Sequence, residues 1–415
     1  MDLKLAKPPS LFRDSDFVKF WVGQSISVFG SQFSPLAIQA IAITTLFASD
    51  FQLGLLAFFN TIPFLTIGLF VGVWADRHRR RRIMILADFG RAGILFAVPL
   101  SFLFYGLSMN LLYLVTLVAG ILTVFFEIAY QANIPSLVEK TQIVEANTKM
   151  ETSRSVSQVA GPSAAGFAIK AVGAPLAVLA DTFGYLASSI SLILLKRPEA
   201  PPNPAANRST WRDVREGLVV VFGDRRLRSI AATTATSNFF SSAFGAITIL
   251  YFNQNLEMSY PEIGLAFGIG SLGGVLGAVT AGRFISALGV GRAIILGAVF
   301  GGVFSIGFYF ATPADAFLAV TVIVFFTSLG VLWYNIHQVS YRQALVPREL
   351  QGRMNATMRT IVWGTLPIGG LVGGIVGEVI GTQQTMGLMA ALGSLAFLWV
   401  LFSPVRSVRE IPVGG

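Results

Sequence analysis

The sequence predicts an all-α membrane protein of twelve transmembrane helices, arranged as two pseudo-symmetric six-helix bundles. Three observations lead there. Of the 415 residues, 54% are apolar and only 12% are charged, about half the charged share of a soluble domain. Apolar stretches recur at lengths suited to crossing a bilayer, where roughly 20 residues span about 30 Å of hydrocarbon. The two halves of the chain also repeat one another at a nearly fixed offset.

The apolar stretches run at roughly 18–47, 52–75, 83–105, 109–134, 149–171, 174–195, 229–252, 262–282, 292–311, 315–338, 355–380 and 384–402. The first and eleventh are long enough to tilt. The connections alternate in character. Those at 48–51, 106–108, 172–173, 253–261, 312–314 and 381–383 are short and almost uncharged. The others carry the run His78 to Arg82, then Lys140, Lys196, Arg197, Arg342, Arg348 and Arg353, with Lys170 as the clear exception to the pattern. By the positive-inside rule the basic side is cytoplasmic, and an even number of spans places both termini there. The expected location is therefore the inner (plasma) membrane. The net charge of +9 follows from this topology and from attraction of basic loops to anionic lipid, so no nucleic-acid partner is expected. The apolar stretch after Asp16 is too long for a signal-peptide core, and no cleaved signal is expected.

The longest connection, 196–228, opens with the Pro-rich run Arg197 to Pro204. It continues into Trp211, Val214, Leu218, Val221 and Phe222 on one helical face, with Arg212, Arg215 and Glu216 opposite. That pattern predicts an amphipathic helix on the membrane surface. It divides the chain into a six-helix bundle at 1–195, a linker at 196–228 and a second bundle at 229–415. At an offset of 210, Phe12, Asp14, Ser27, Phe29 and Ser31 match Phe222, Asp224, Ser237, Phe239 and Ser241. At an offset of 208, Leu137, Val138, Asn147, Met150, Gly161, Gly166 and Gly173 match Leu345, Val346, Asn355, Met358, Gly369, Gly374 and Gly381. Two repeats in the same orientation, related by an axis along the membrane normal, place a substrate site between them at mid-depth.

Several chemistries are excluded. There is no cysteine, and there are only two histidines, His78 and His337. No disulfide, thiolate nucleophile or histidine-rich metal site can be built from that inventory. No nucleotide-binding loop and no nucleophile with its base is present, so neither enzymatic activity nor a cofactor is expected.

Three local runs stand out. After the second span comes Gly72-Val73-Trp74-Ala75-Asp76-Arg77-His78-Arg79-Arg80-Arg81. The fifth carries Gly161-Pro162-Ser163-Ala164-Ala165-Gly166, with Ser157 upstream. The runs Tyr130 to Val138 and Leu345 to Ala356 flank the fourth-to-fifth and tenth-to-eleventh connections. The first run resembles motif A of the major facilitator superfamily, with Arg79 where a second glycine is usual. The second resembles its motif C, with Ala165 in place of one glycine, and motif C marks antiporters in that superfamily. The Arg-rich variant and the two flanking runs resemble the branch of macrolide-efflux and enterobactin-exporter-like proteins. The resemblance covers nearly the whole chain. It implies alternating access, with Gly72, Asp76, Arg77, Arg80 and Arg81 as the gating motif. It also implies Gly161, Pro162 and Gly166 as a pivot and seal, and the eleventh span as the partner of Asp76.

Physical chemistry supports parts of this. A carboxylate such as Asp76 can accept from free N–H groups at a neighbouring helix N-terminus. Pro162 removes one backbone hydrogen bond, and small residues around it allow close helix approach. Ionisable residues inside spans are costly unless paired, and so point to function. Arg91, Glu127, Arg154 and Arg359 are expected to share a layer roughly 10 Å below the basic surface, from the 1.5 Å rise per residue. Glu127 and Arg154 can meet there, as a structural salt bridge or as a protonation-sensitive gate. Asp181, with no nearby cation in sequence except Lys170, is either a proton-coupling carboxylate or a packing residue bonded to hydroxyls, and Glu378 is the remaining proton-coupling candidate. Spans 1, 4, 7 and 10 line the cavity in the superfamily. Here they supply Gln24, Gln32, Gln39, Asn238, Tyr251, Trp333, Tyr334, Asn335 and His337 among many phenylalanines. Few hydrogen-bonding groups among apolar walls suit an amphiphilic substrate.

The expected function is export of drugs, or of an amphiphilic metabolite such as a siderophore, by proton antiport and as a monomer. A lipid or lysolipid flippase, an uptake permease and a non-transporting receptor or assembly protein are the alternatives.

Overall fold

The computed structural model describes residues 11–199 and 210–410. Among these, twelve helical spans follow one another and no strand occurs. The first six are α1 (Ser15–Thr45), α2 (50–76), α3 (Arg80–Phe104), α4 (Met109–Leu137), α5 (Ile143–Val172) and α6 (Ala174–Ile193). The second six are α7 (Arg225–Leu250), α8 (Tyr260–Leu288), α9 (Val290–Phe310), α10 (Ala316–Leu345), α11 (Arg348–Ile380) and α12 (Thr382–Leu401).

The repeat extends into backbone detail that the sequence matches only hinted at. Asp14 caps α1 by accepting from the N–H groups of Asp16 and Phe17, and Asp224 caps α7 by accepting from Arg226 and Leu227. Both helices finish in a π turn, Ile41–Thr45 and Tyr251–Asn255. Phe47 and Glu257 then both take φ 52°, an uncommon left-handed conformation for residues with a side chain. Capping boxes built on Ser49 with Gln52 and on Ser259 with Glu262 open α2 and α8. Gly173 and Gly381 turn α5 into α6 and α11 into α12, at φ 84° and 90°. Removing a cap, as in Asp14→Ala or Asp224→Ala, is expected to cost about 1 kcal/mol; a lower thermal unfolding midpoint in detergent would register it. The hydrogen-bonded Arg226 side chain holds the Asp224 carboxyl below its ordinary range. A depressed folded value means that this cap stabilises at neutral pH and is lost only in acid, as pH falls through the folded value.

Among the described residues, nine spans are long and apolar enough to cross a membrane by composition alone. The other three are α2, α5 and α7, for physical reasons. The α-helical hydrogen bonding of α2 is interrupted at Ile67. α5 turns Glu151, Ser153, Arg154 and Gln158 toward a cavity. α7 spends its polar residues on α11, where Asn238 donates to the Val362 carbonyl (3.2 Å) and Ser242 to that of Leu366 (2.7 Å). Exposed apolar side chains such as Leu86, Phe96, Phe183 and Leu318 make up a belt that only a bilayer covers favourably.

The core is arranged differently at the two ends. At the low-charge end one continuous cluster takes in both halves, including Ile41, Leu53, Ile169, Ile247, Phe252 and Ile263. At the basic end the core separates. One cluster, around Phe17, Met84 and Leu192, belongs to the first half. Two others, around Ile294 with Tyr341 and around Val221 with Met354, belong to the second.

The linker forms a helix at Thr210–Gly223. Its Trp211, Arg212 and Val214 side chains lie outside the described residues. The rest of the helix is not simply laid on a surface. Gly217 sits against Arg353 and Thr357, Val221 is fully buried, and Glu216 pairs with Arg353 at 2.5 Å, so the helix is docked on the base of α11. Leu218 and Phe222 remain exposed.

Candidate transport cavity and charge clusters

Two crossed helix pairs join the halves, α2 with α11 and α5 with α8. They are each other's equivalents under the repeat. On one edge a Cβ at Gly54 would stand 2.7 Å from Gly374 Cα and 2.8 Å from the Gly370 carbonyl oxygen. On the other, a Cβ at Gly264 would strike the Pro162 carbonyl and one at Gly166 the Tyr260 carbonyl. Gly370 with Gly374, and Gly264 with Gly268, are the small-x-x-x-small pairs that let backbones approach this closely. Pro162 and Gly166 thus stand directly at an inter-half contact. Gly161 packs instead on Gln32 of α1.

Charges at this end differ between the two edges. Lys170 lies within electrostatic range of Glu262. At the equivalent of Lys170 stands Glu378, which accepts from the Phe51 N–H at 3.2 Å. A carboxylate across the gap on the first turn of α2 meets the positive end of its dipole. Asp50 accepts from the Thr382 hydroxyl at 3.0 Å on the same edge. Phe64 and Trp363, with centroids 5.1 Å apart, make an aromatic contact between α2 and α11.

Toward the basic end the contacts give way to space. At Gly68 and Gly72 of α2, Gly274 and Gly282 of α8 and Gly352 of α11, no neighbouring atom among the described residues lies within 4 Å of a Cβ position. A cavity of about 570 Å³ opens on the first half, walled by α1, α4 and α5. Gln24, Gln32, Glu127, Tyr130, Glu151, Arg154 and Gln158 line it. This wall sets the charged Glu127, Glu151 and Arg154 beside the apolar Val28, Phe126 and Met150, and so carries charge that the largely aromatic lining expected from the sequence does not. Glu127 and Arg154 share the cavity but do not make an ion pair within 4 Å. Arg359, from α11, stacks over Trp363 at 4.5 Å and feels the charge of Glu127 across the gap.

The expected layer of charges therefore divides. Arg91 does not face the cavity. It is buried inside the first bundle, between the rings of Phe126 (4.2 Å) and Tyr185 (4.0 Å), and bonded to Asp88. Asp181 is in the same enclosure, so its neighbouring cation is Arg91 rather than Lys170. Asp88 was not singled out from the sequence, although an acid three residues before a buried arginine shares its helical face.

The other sequence candidates fall as follows. Gln24 is 2% exposed and donates to Ser188 at 2.6 Å. Gln39 is remote from the cavity wall, its Oε1 buried without a partner among the described residues. Tyr251 is fully buried at the closed end, donating to the Phe308 carbonyl. Trp333 donates to Thr280, Tyr334 bonds Thr234, and the His337 Nε2 lies against the Ala281 carbonyl. These contacts hold α10 to α7 and α8, so none of the three lines this cavity. Asn335 is exposed on α10. Arg77 is exposed at the end of α2, and Arg80 opens α3. Arg81 donates to the last carbonyl of α6, at Ile193 (2.8 Å), and to that of Leu195 just beyond it (2.7 Å), where a helix end favours a cation. The Asp76 side chain lies outside the described residues.

Residues 20–365 match the model of the Major Facilitator Superfamily. Macrolide efflux protein A of Streptococcus pyogenes is 23% identical over 95% of this chain and 97% of its own length. Enterobactin exporter EntS of Escherichia coli O127:H6 is 25% identical over 99% of this chain and 96% of its own. Among solved structures, a bacterial homologue of the iron transporter ferroportin in its inward-facing state superposes with a TM-score of 0.74 at 16% identity, covering 95% of this chain and 99% of that one. The nucleoside transporter NupG superposes with a TM-score of 0.72 at 14% identity, covering 94% and 99%.

Proposed function

Since the chain belongs to the major facilitator superfamily, we propose that it exports amphiphilic small molecules across the inner membrane by alternating access, driven by protons moving the opposite way. The observation that carries this reading is the asymmetry between the ends. Glycine-mediated contacts close the low-charge end on both edges, while the cavity opens toward the basic end. With the basic end in the cytoplasm, this is a state open to the cytoplasm, ready to load cargo for export. Efflux in the name of one relative and exporter in that of the other favour that direction. The cavity wall asks for a cargo with hydrogen-bonding or charged groups beside its apolar part. Glu127, Asp181 and Glu378 are the sequence-derived candidates for coupling, and the contact of Asp76 with α11 belongs to the opposite state.

Orientation is tested by labelling. The chain has no cysteine, so single substitutions report cleanly. Cysteine at Ser49 or Asn255 should react with an impermeant thiol reagent in intact cells, and cysteine at Arg79 only after permeabilisation. Labelling of Arg79→Cys from outside would reverse the orientation. Direction is tested with inside-out vesicles, which should accumulate a macrolide or the dye ethidium when their lumen is made acidic. Accumulation only in right-side-out vesicles would replace export by uptake.

A further inference from the structure

The first bundle encloses more negative than positive charge. Asp88 is fully buried, Arg91 is 5% exposed and Asp181 is 2% exposed. Arg91 donates to one oxygen of Asp88. The other accepts from Ser188 at 2.5 Å. Ser188 in turn accepts from Gln24 at 2.6 Å, and Gln24 stands in the cavity wall. Asp181 approaches Arg91 from α6, with Ser34 and Tyr185 beside it, and its Oδ1 has no hydrogen-bond partner among the described residues. Around the trio, α4 contributes the Phe126 ring, α6 contributes Tyr185, and α1 contributes the uncharged Gln24 and Ser34. Asp88 and Asp181 are the carboxylates whose charge acts on Arg91.

Two carboxylates against one guanidinium leave a net charge of minus one in an enclosure that disfavours charge. One proton on either carboxylate makes the cluster neutral. We propose that Asp88, Arg91 and Asp181 form a proton-binding site inside the first bundle, linked to the transport cavity through Ser188 and Gln24. The inference rests on the reading of the protein as a proton-driven exporter and adds where the proton is held. The site shares its proton between two carboxylates, so it titrates as a unit. Gln24 is the point where an occupant of the cavity can disturb the chain of hydrogen bonds that ends on Asp88.

Infrared difference spectroscopy of the purified full-length protein, titrated with acid and base, tests this without any substrate. The parent should show a carboxylic-acid carbonyl band from a buried group, shifted in deuterium oxide and lost at high pH. Asp88→Asn and Asp181→Asn should each abolish or displace it, and Glu127→Gln should leave it in place. Ser188→Ala and Gln24→Leu keep all charges and guard against misfolding of the Asp variants; they should retain the band but move the pH at which it disappears. A band unchanged in both Asp variants, or abolished only by Glu127→Gln, would overturn the proposal, as would a band indifferent to Ser188→Ala and Gln24→Leu. A band that behaves as expected in a protein whose transport ignores the pH gradient would leave the site standing and remove the proton-driven reading instead.

Discussion

Leucine at Gly166 or Gly264 is expected to lower transport at least tenfold while leaving insertion and expression near those of the parent. Both glycines face a backbone carbonyl of the opposite half, Tyr260 and Pro162 respectively, where even a Cβ would collide. Overpacking of this kind costs about 1–3 kcal/mol, and about 1.4 kcal/mol is a factor of ten in a conformational equilibrium. The cost falls on the state closed at the low-charge end, because the contact joins two halves that must part in the other state. Each bundle's own packing is unaffected, which is why folding should survive. Gly274, on the same helix as Gly264, has no neighbouring atom among the described residues within 4 Å of its Cβ position. Gly274→Leu should therefore transport like the parent. Equal loss at Gly264 and Gly274 would mean that α8 tolerates no side chain for reasons unrelated to the seal.

The second large effect is a reversible block. Asp50 and Thr382 touch across the halves through side chains 3.0 Å apart. Cysteines at both positions should join on oxidation, stop transport almost completely, and release it on addition of reductant. The single variants Asp50→Cys and Thr382→Cys should keep transporting under the same oxidant. The argument is geometric: a bond across the closed end forbids the separation that alternating access requires. Full transport by a quantitatively cross-linked protein would show that these ends need not part.

Much of this architecture could be read from the residues. The apolar stretches, the alternation of charge between connections and the repeat of Asp14 with Asp224 all express constraints that a bilayer and a duplicated bundle impose locally. The repeat was deeper than residue matching suggested. Ser49 and Ser259, or Phe47 and Glu257, occupy identical backbone roles with partly different side chains, and only coordinates reveal a shared φ.

The site was less legible because its pairings are tertiary. Glu127 and Arg154 sit at matching depths and line the same cavity, yet depth does not set the separation across it, and they make no ion pair within 4 Å. Arg91 was visible as a buried charge. Its partners Asp88 and Asp181 arrive from its own helix face and from α6, and no spacing rule joins residues 88 and 181. The tyrosines and His337 of α7 and α10 were assigned to the cavity from span identity alone. In the structure the two tyrosine hydroxyls and the His337 Nε2 meet neighbouring helices, the commoner fate of such groups in an apolar bundle, while the His337 Nδ1 is buried without a hydrogen-bond partner among the described residues. Glu378 illustrates the reverse. It looked like an isolated carboxylate near a span end, and it occupies the first turn of α2 across the gap.

The measurement that bears most directly on alternating access is a pair of distances in one protein, read by spin labels on introduced cysteines. One pair, at Arg79 and Gly352, spans the basic end; the other, at Asn110 and Ala314, spans the low-charge end. The account predicts two populations whose proportions shift with pH, in which lengthening of one distance always accompanies shortening of the other. Distances that stay fixed across pH, or that lengthen together, would contradict it.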